Sequence, residues 1–541
     1  MRHDGARPGI SVPSRRYSTD VNATVLFPAA PPRAGARAWL GLAVLFLPTL
    51  LVAIDNTVLG FALPAISEAL APSALEQLWI VDAYPLVLAG LLVTMGTLGD
   101  RIGRRRTLLI GVAGFGAVSL AAAFATDAVH LVAARALLGF FGAMLMPATL
   151  ALLRTLFPDR TQRRLAVAVW ATGFAAGAAV GPIVGGLLLA HFWWGAVFLV
   201  NVPLMLLILV LGAVLLPESR MAAPGRLDPL GVLLSLLAMG PTVLAVKTVA
   251  HDGVTATAVL ALLVGAGSAV LFVRRAKARI AAGEEPLLDV TLFASPVLRL
   301  SALANATTMF ALTGLLFFSA QHLLLVAGLD PLDAGLVLLP GFATTMVAGL
   351  VASRLARRFP LRVLVPVGLL LAAAGYLLAA TPEVGLLAAA AVLVGAGIGL
   401  SETITNDAIL TAVPADRAGS ASAVSETAYE IGAVLGTAVL GSVLAAAYRG
   451  GVVVPTSIGP EWADAAHETL GGAVGTAARV PGHDGQALLD SARAAFDAGV
   501  GVTALVGAAV LVAVAVVVVL GLRPGGSATG LRATGVSGTP R

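Results

Sequence analysis

The sequence predicts an all-α integral membrane protein: two six-helix bundles, a helix pair inserted between them, about fourteen transmembrane helices in all, and both termini cytoplasmic. Three observations carry that prediction. Hydrophobic residues fill 58% of the 541 positions and charged residues only 12%, about half the charged share of a soluble protein. Apolar runs of about 20 residues recur along the chain, each long enough to cross a bilayer as a helix. The arginines fall alternately on one side of these runs, as the positive-inside rule requires.

By length and hydropathy the spans lie near 39–62, 79–99, 107–126, 131–153, 165–189, 196–216, 229–249, 256–273, 298–320, 332–352, 361–380, 384–410, 419–446 and 499–522. With the N-terminus inside, the cytoplasmic connections hold Arg101, Arg104, Arg105 and Arg106; Arg154, Arg160, Arg163 and Arg164; Arg220 and Arg226. They continue with Arg274, Arg275, Lys277, Arg279 and Arg299; Arg354, Arg357, Arg358 and Arg362; and Arg417. The outer loops hold only Arg449, Arg479 and Arg493. A miscount by one span would destroy this alternation, so the number is even.

The loops divide the chain. Residues 1–38 read as a disordered cytoplasmic tail, without the apolar core of a signal peptide. Spans one to six, 39–217, form the first bundle. Residues 218–297 hold the inserted pair, 298–522 the second bundle, and 523–541 a second cytoplasmic tail. The one long outer loop is 447–498. In it "EWADAAHETLGGAV" and "GQALLDSARAAFDAG" read as short amphipathic helices. There is no cysteine, which excludes disulfides and thiolate-bound metal. The net charge of +5 reflects membrane topology and implies no nucleic-acid partner. His322 is the one clearly embedded histidine and has no partner nucleophile motif, which argues against an intramembrane enzyme. The preference for arginine, alanine and glycine fits a GC-rich bacterial genome, and hence a multi-pass protein of the cytoplasmic membrane.

Several membrane stretches carry polar chemistry. "GTLGDRIGRRRTLLIG", 96–111, follows the second span. There Gly96 allows close packing, Asp100 and Arg101 can pair across a turn at Gly103, and Arg104 to Arg106 can meet anionic headgroups. "WATGFAAGAAVGPIVGGLLL", 170–189, spaces Gly173, Gly177, Gly181-Pro182 and Gly185-Gly186 so that one face admits a close neighbour. Arg135 is the one cation inside spans one to six and is expected to neutralise an acid or a helix-end carbonyl. Most telling is "AVSETAYEIGAVLG", 423–436, with Glu426 and Glu430 one turn apart on one helix face. Lipid exposure of two carboxylates is prohibitive, so they should face a central cavity. Repulsion makes them a coupled pair, and a cation and a proton would compete there. Glu402 and Asp407 on the preceding span add two more acids in the cytoplasmic half, while Asp55 and Asp82 lie in the outer half of the first bundle.

These stretches resemble the major facilitator superfamily. The motif G-x-L-x-D-R-x-G-R-R after the second span resembles its signature loop. The glycine face of 173–186 resembles the motif of its antiporters. "AIDNTVLGFALPAI", 53–66, resembles the first helix of its fourteen-helix drug:proton antiporter branch, with Gly60 departing from the usual asparagine. "WIVDAYPLVLAG" and the Glu426 stretch resemble exporters of quaternary ammonium compounds and dyes. The resemblance implies a major facilitator fold and proton-driven export of a small lipophilic, cationic substrate, with acids at Asp55, Asp82, Glu426 and Glu430 binding cation or proton. It also implies a role for Arg135 in proton coupling. It implies no cofactor and no metal, only a proton gradient, a lipid membrane and a monomeric chain. The rival reading keeps the fold and exports one endogenous metabolite or antibiotic. Tyr429, Trp170, Phe174, Met146, Met144 and Phe310 are candidates for the cavity lining, though such residues also serve as packing. Lys247 reads as a snorkelling cation near the outer face, and His322 as a satisfied polar residue.

Overall fold

The computed structural model describes Met1 and residues 34–220, 228–284, 286–412, 418–480 and 482–522. Most of the expected N-terminal tail, the C-terminal tail, Arg226 and Arg417 lie outside the described residues. The first half comprises α1 (Ala36–Leu70), α2 (Ala74–Ile102), α3 (Arg104–Ala123), α4 (Ala128–Leu156) and α5 (Arg160–His191). Its sixth span breaks at Val200 into α6 (Ala196–Leu199) and α7 (Asn201–Leu215). The inserted pair is α8 (Pro229–Asp252) and α9 (Ala256–Ala281). The second half opens with α10 (Pro296–Gln321), which ends in a π-helical segment, His322–Val326. It continues with α11 (Pro331–Leu355), α12 (Leu361–Ala379), α13 (Val384–Thr411) and α14 (Ala418–Leu435). A second π segment, Gly436–Gly441, leads into α15 (Ser442–Gly451); then come α16 (Pro460–Glu468), α17 (Leu470–Arg479) and α18 (His483–Gly521). Among the described residues there is no strand, and thirteen helical segments are long and apolar enough to cross a membrane. A shorter apolar stretch, Ala176–His191 within α5, stands at the remaining predicted span.

Local chemistry sets the helix starts. Ser73 and Glu76 form a reciprocal capping box at α2, satisfying two backbone donors that a helix start otherwise leaves free. Asp127, Asp228, Thr255 and Ser295 cap α4, α8, α9 and α10 in the same role, and proline follows the cap at α8 and α10. Asp127 is held below the usual carboxylate range, chiefly by the backbone N–H of His130.

The two halves repeat one packing pattern. In the first, α1 packs on α5, α2 on α4, and α3 on α4 and α7. In the second, α10 packs on α14, α11 on α13, and α12 on α13 and α18. The halves meet through α5 against α11 and α2 against α14. The inserted pair stands outside this pattern. Its α8 packs on α2 and on α15, and exposes Leu230 and Leu233 on its other side.

The glycine face of α5 explains the closeness of two neighbours. A Cβ added at Gly173 would lie 3.0 Å from the Phe46 ring, and one at Gly177 2.7 Å from the Ala53 Cβ, both on α1. Gly186 instead faces the second half, where an added Cβ would lie 2.6 Å from the Leu332 backbone. Gly335 of α11 rests on Pro182 in the same way, at 2.9 Å from its carbonyl oxygen. By the positive-inside assignment this contact lies at the outer end, so the outer mouth between the halves is closed.

The long outer loop differs from its expectation at one end. The first stretch forms two short helices, α16 and α17, but the second is the first turns of α18, which begins at His483 rather than near 499. The loop is a folded cap. Tyr448 donates to the carbonyls of Ala466 and Thr469 at 2.8 and 3.2 Å. Arg479 lies 4.7 Å from the centre of the Trp462 ring. Gly471 sits against Ser67 at the outer end of α1, and Glu468 accepts from the Ala74 N–H at the start of α2.

Candidate functional site

Two groups of ionisable residues lie inside the membrane, and they differ in how their charge is answered. The first is built on α1, α2, α4 and α7. Arg135 Nη1 lies 2.6 Å from Asp55 Oδ2, with the side chains 1% and 2% exposed. Its Nε donates to the Ile80 carbonyl at 3.1 Å, and its guanidinium stands 4.6 Å from the centre of the Tyr84 ring. Asn201 donates to the other Asp55 oxygen at 3.1 Å and to Ser119 at 3.3 Å. Both Asp55 oxygens are therefore engaged, as a buried charge requires. The expectation that Arg135 meets an acid holds, and the carbonyl it also meets lies within α2 rather than at a helix end.

Asp82 is answered by the inserted pair. Lys247 Nζ lies 3.0 Å from Asp82 Oδ2, and both side chains are fully buried. The ammonium also stands 4.0 Å from the centre of the Trp79 ring, a favourable site for a cation. The expected snorkelling of Lys247 is thus wrong. Its ammonium turns inward, where a carboxylate and an aromatic face both answer the charge.

The second group is built on α10, α13 and α14. Glu402, Glu426 and Glu430 are half-buried, and Glu426 is within electrostatic reach of the other two. Among the described residues none of the three has a basic partner, and only Glu402 receives a hydrogen bond, from Thr308 at 3.2 Å. Beside them runs an uncharged network. Asn305 donates to Asn406 at 3.2 Å and to Ser425 at 2.9 Å, and accepts from Thr405. Ser425 donates to Asn406 at 2.8 Å, and Asn406 donates to the Tyr429 hydroxyl at 2.6 Å. The network fixes the rotation of α14 against α13, and with it the direction of the glutamates. Tyr84 links the two groups: it is within electrostatic reach of both Asp55 and Glu430.

Other expected positions resolve differently. Asp407 is exposed and stands off the Glu402–Asn406 face. Five residues along a helix turn a side chain well away from the first. Met144 and Phe310 are buried packing residues, seated against Gly111 and Gly436. Trp170 is half-buried and donates to Thr149 at 3.2 Å; Phe174, Met146 and Tyr429 are also half-buried. His322 Nδ1 lies 2.8 Å from Asp497 Oδ1, a satisfied polar residue. In the signature loop Asp100 pairs with Arg104, not Arg101, at 2.9 Å. Arg101 itself is exposed, and Gly96 packs on Pro147. Arg105 and Arg106 lie 4.0 and 3.8 Å from Glu218. Gly103 has φ +115°, a conformation that favours glycine.

Reading the sequence alone overlooked Asn201, Asn305, Thr308, Asn406 and Ser425, and misplaced Lys247. A signal exists for some of them. Asn305 and Thr308, and Glu402 and Asn406, stand at one-turn spacing in otherwise apolar helices.

Comparison with known proteins adds three findings. Residues 45–437 match the family profile described as Major Facilitator Superfamily. The chain is 54% identical over 495 residues to the multidrug efflux pump LfrA of Mycolicibacterium smegmatis, covering 91% of this chain and 97% of that one. It is 37% identical over 473 residues to the methyl viologen resistance protein SmvA of Salmonella typhimurium, covering 85% and 93%. Among solved structures it is similar in fold to a bacterial homologue of the human lysosomal transporter Spinster, in an inward-facing and unoccupied conformation. The TM-score there is 0.63 at 17% identity, over 90% of this chain and 99% of that one.

Proposed function

We propose that this chain, which belongs to the major facilitator superfamily, exports a range of small lipophilic cations in exchange for protons. It is a multidrug efflux transporter of the bacterial inner membrane, like the relatives it matches. The name of one relative specifies resistance to methyl viologen, an organic cation. Extensive similarity to a multidrug pump favours a broad cargo over one endogenous product.

One observation carries the choice of coupling residues. Asp55 and Asp82 are each closed by a buried cation, whereas Glu402, Glu426 and Glu430 have none among the described residues. An intramembrane carboxylate without a fixed counter-ion must find a proton or a mobile cation. Cargo arriving from the cytoplasm supplies the cation and releases the protons. Protons arriving from outside displace the cargo. Exchange follows if the two occupants exclude one another and the site opens to one side at a time. We assign the rocking bodies to 39–217 and 298–522, working as a monomer, with Arg135–Asp55–Tyr84 relaying the charge state of Glu430 to the first half.

The test is ethidium movement in proteoliposomes under an imposed pH gradient. The parent protein is expected to move ethidium against its gradient. Glu426→Gln and Glu430→Gln are each expected to abolish the gradient-driven component while leaving the protein folded. Undiminished gradient-driven movement in both variants would sink the assignment of coupling to this pair.

A further inference from the structure

We infer that Lys247, on the inserted helix pair, withdraws Asp82 from the proton and cargo traffic of the site, and so decides which acids do the coupling. The inference rests on the exchange reading above and adds a positioning residue to it.

The geometry is specific. Leu236 of α8 seats over Gly90 of α2, its Cγ 2.9 Å from where a Cβ would be. That close approach brings the two helices near enough for Lys247 to reach Asp82 Oδ2 at 3.0 Å. Around the pair, Leu86, Val243, Val434 and Ala438 form a buried apolar cluster, with Trp79 and Met239 packed against it. Besides Lys247, only the Thr437 hydroxyl among the described residues stands close enough to serve the carboxylate. Each charge therefore depends on the other.

The groups facing Asp82 come from four elements. Lys247 faces it from α8 and Trp79 from its own helix. Thr437 lies beside it from the π segment that follows α14. Arg135 of α4 acts at longer range and is already committed to Asp55. Thr437 follows Glu430 by seven residues and lies in the π segment beyond the end of α14. Asp82 thus stands beyond the last coupling glutamate, at the junction of both halves. Without the lysine it would be a further acid on the proton route. With it the carboxylate is occupied by a tethered cation. The inserted pair thereby has a chemical role: it delivers a tethered cation to an acid of the first half.

The experiment counts protons on purified protein in detergent, titrated between pH 5 and pH 9. Lys247→Met removes the ammonium with its own proton and leaves the Asp82 carboxylate without its counter-ion, so one carboxyl is expected to take up its proton at a higher pH than in the parent. Lys247→Met/Asp82→Asn is expected to lose that step, and Lys247→Arg to return it to the parent pH. In proteoliposomes Lys247→Met is expected to raise the proton-to-ethidium ratio, and the double variant to restore it. An unchanged titration curve in Lys247→Met would overturn the inference, since Asp82 would then not depend on the lysine for its charge. Loss of gradient-driven exchange in a folded double variant would overturn it as well, by making Asp82 a coupling acid. Should Lys247→Met not fold, the double variant decides, because it removes both charges at once. Failure of the exporter reading is visible separately, as a parent protein that moves no dye while the titration curves still report on Lys247.

Discussion

Replacing Gly186 with alanine should open the outer mouth of the protein. The added Cβ would lie 2.6 Å from the Leu332 N and Cα and 2.8 Å from the Pro331 carbonyl carbon, against 3.4–4 Å for an ordinary contact. The obstacle is backbone, so no rotamer change relieves it. The two halves must separate there by about 1 Å, the difference between those distances. Overpacking of this kind costs about 1–3 kcal/mol. The strain exists only while the outer ends of α5 and α11 are together. It therefore shifts the balance toward the outward-open form by a factor of about 5 to about 150, at roughly 1.4 kcal/mol per tenfold. The chain has no native cysteine, so a single Ala334→Cys, fully buried beside Gly335 in α11, is a background-free reporter. The assay is its labelling rate by a membrane-impermeant maleimide added from outside. Gly186→Ala should raise that rate by the same factor. Gly177→Ala, which crowds α1 within one half, should lower stability without changing the rate. A folded Gly186→Ala protein that labels at the parent rate would refute the idea that this contact closes the mouth.

Two further outcomes follow from the cytoplasmic connections. Gly103→Ala should lower the thermal midpoint, costing about 1–3 kcal/mol for the strained backbone, because φ is +115° and the new Cβ meets Glu218 Oε1 at 2.5 Å; an unchanged midpoint would show that the loop relaxes freely. At Asp228, burial opposes ionisation, but the hydrogen bond from Arg275, the Gly231 N–H and the nearby Arg279 outweigh it and hold the carboxyl below its usual range. Its folded value is lowered, so its contribution to stability is present above the unfolded aspartate value of about 3.9 and fades as pH falls through the lower folded value. Asp228→Asn keeps a capping side chain but should be less stable than the parent at pH 7, with the gap closing below about pH 4; a gap that persists unchanged to pH 2 would remove the charge from the explanation.

The sequence alone determined the membrane class, the alternating topology, the repeated halves with their inserted pair, and the resemblance of its motifs. Each of these rests on properties of single helices: apolar length, flanking arginines and residues one turn apart on one face. Glu426 and Glu430 were legible for that reason, and so was the glycine face of α5. What the tertiary structure decided is which charges answer one another. Asp55 and Arg135 are 80 residues apart, and Asp55 and Asn201 146 residues apart. Asp82 meets Lys247 across an inserted segment, and Asn305 meets Ser425 across 120 residues. No periodicity within a helix encodes such pairings, since they depend on the rotation and depth at which helices dock. Burial makes them decisive: in hydrocarbon an unanswered charge is costly, so the fold separates acids that are closed by a cation from three glutamates that have no basic partner among the described residues.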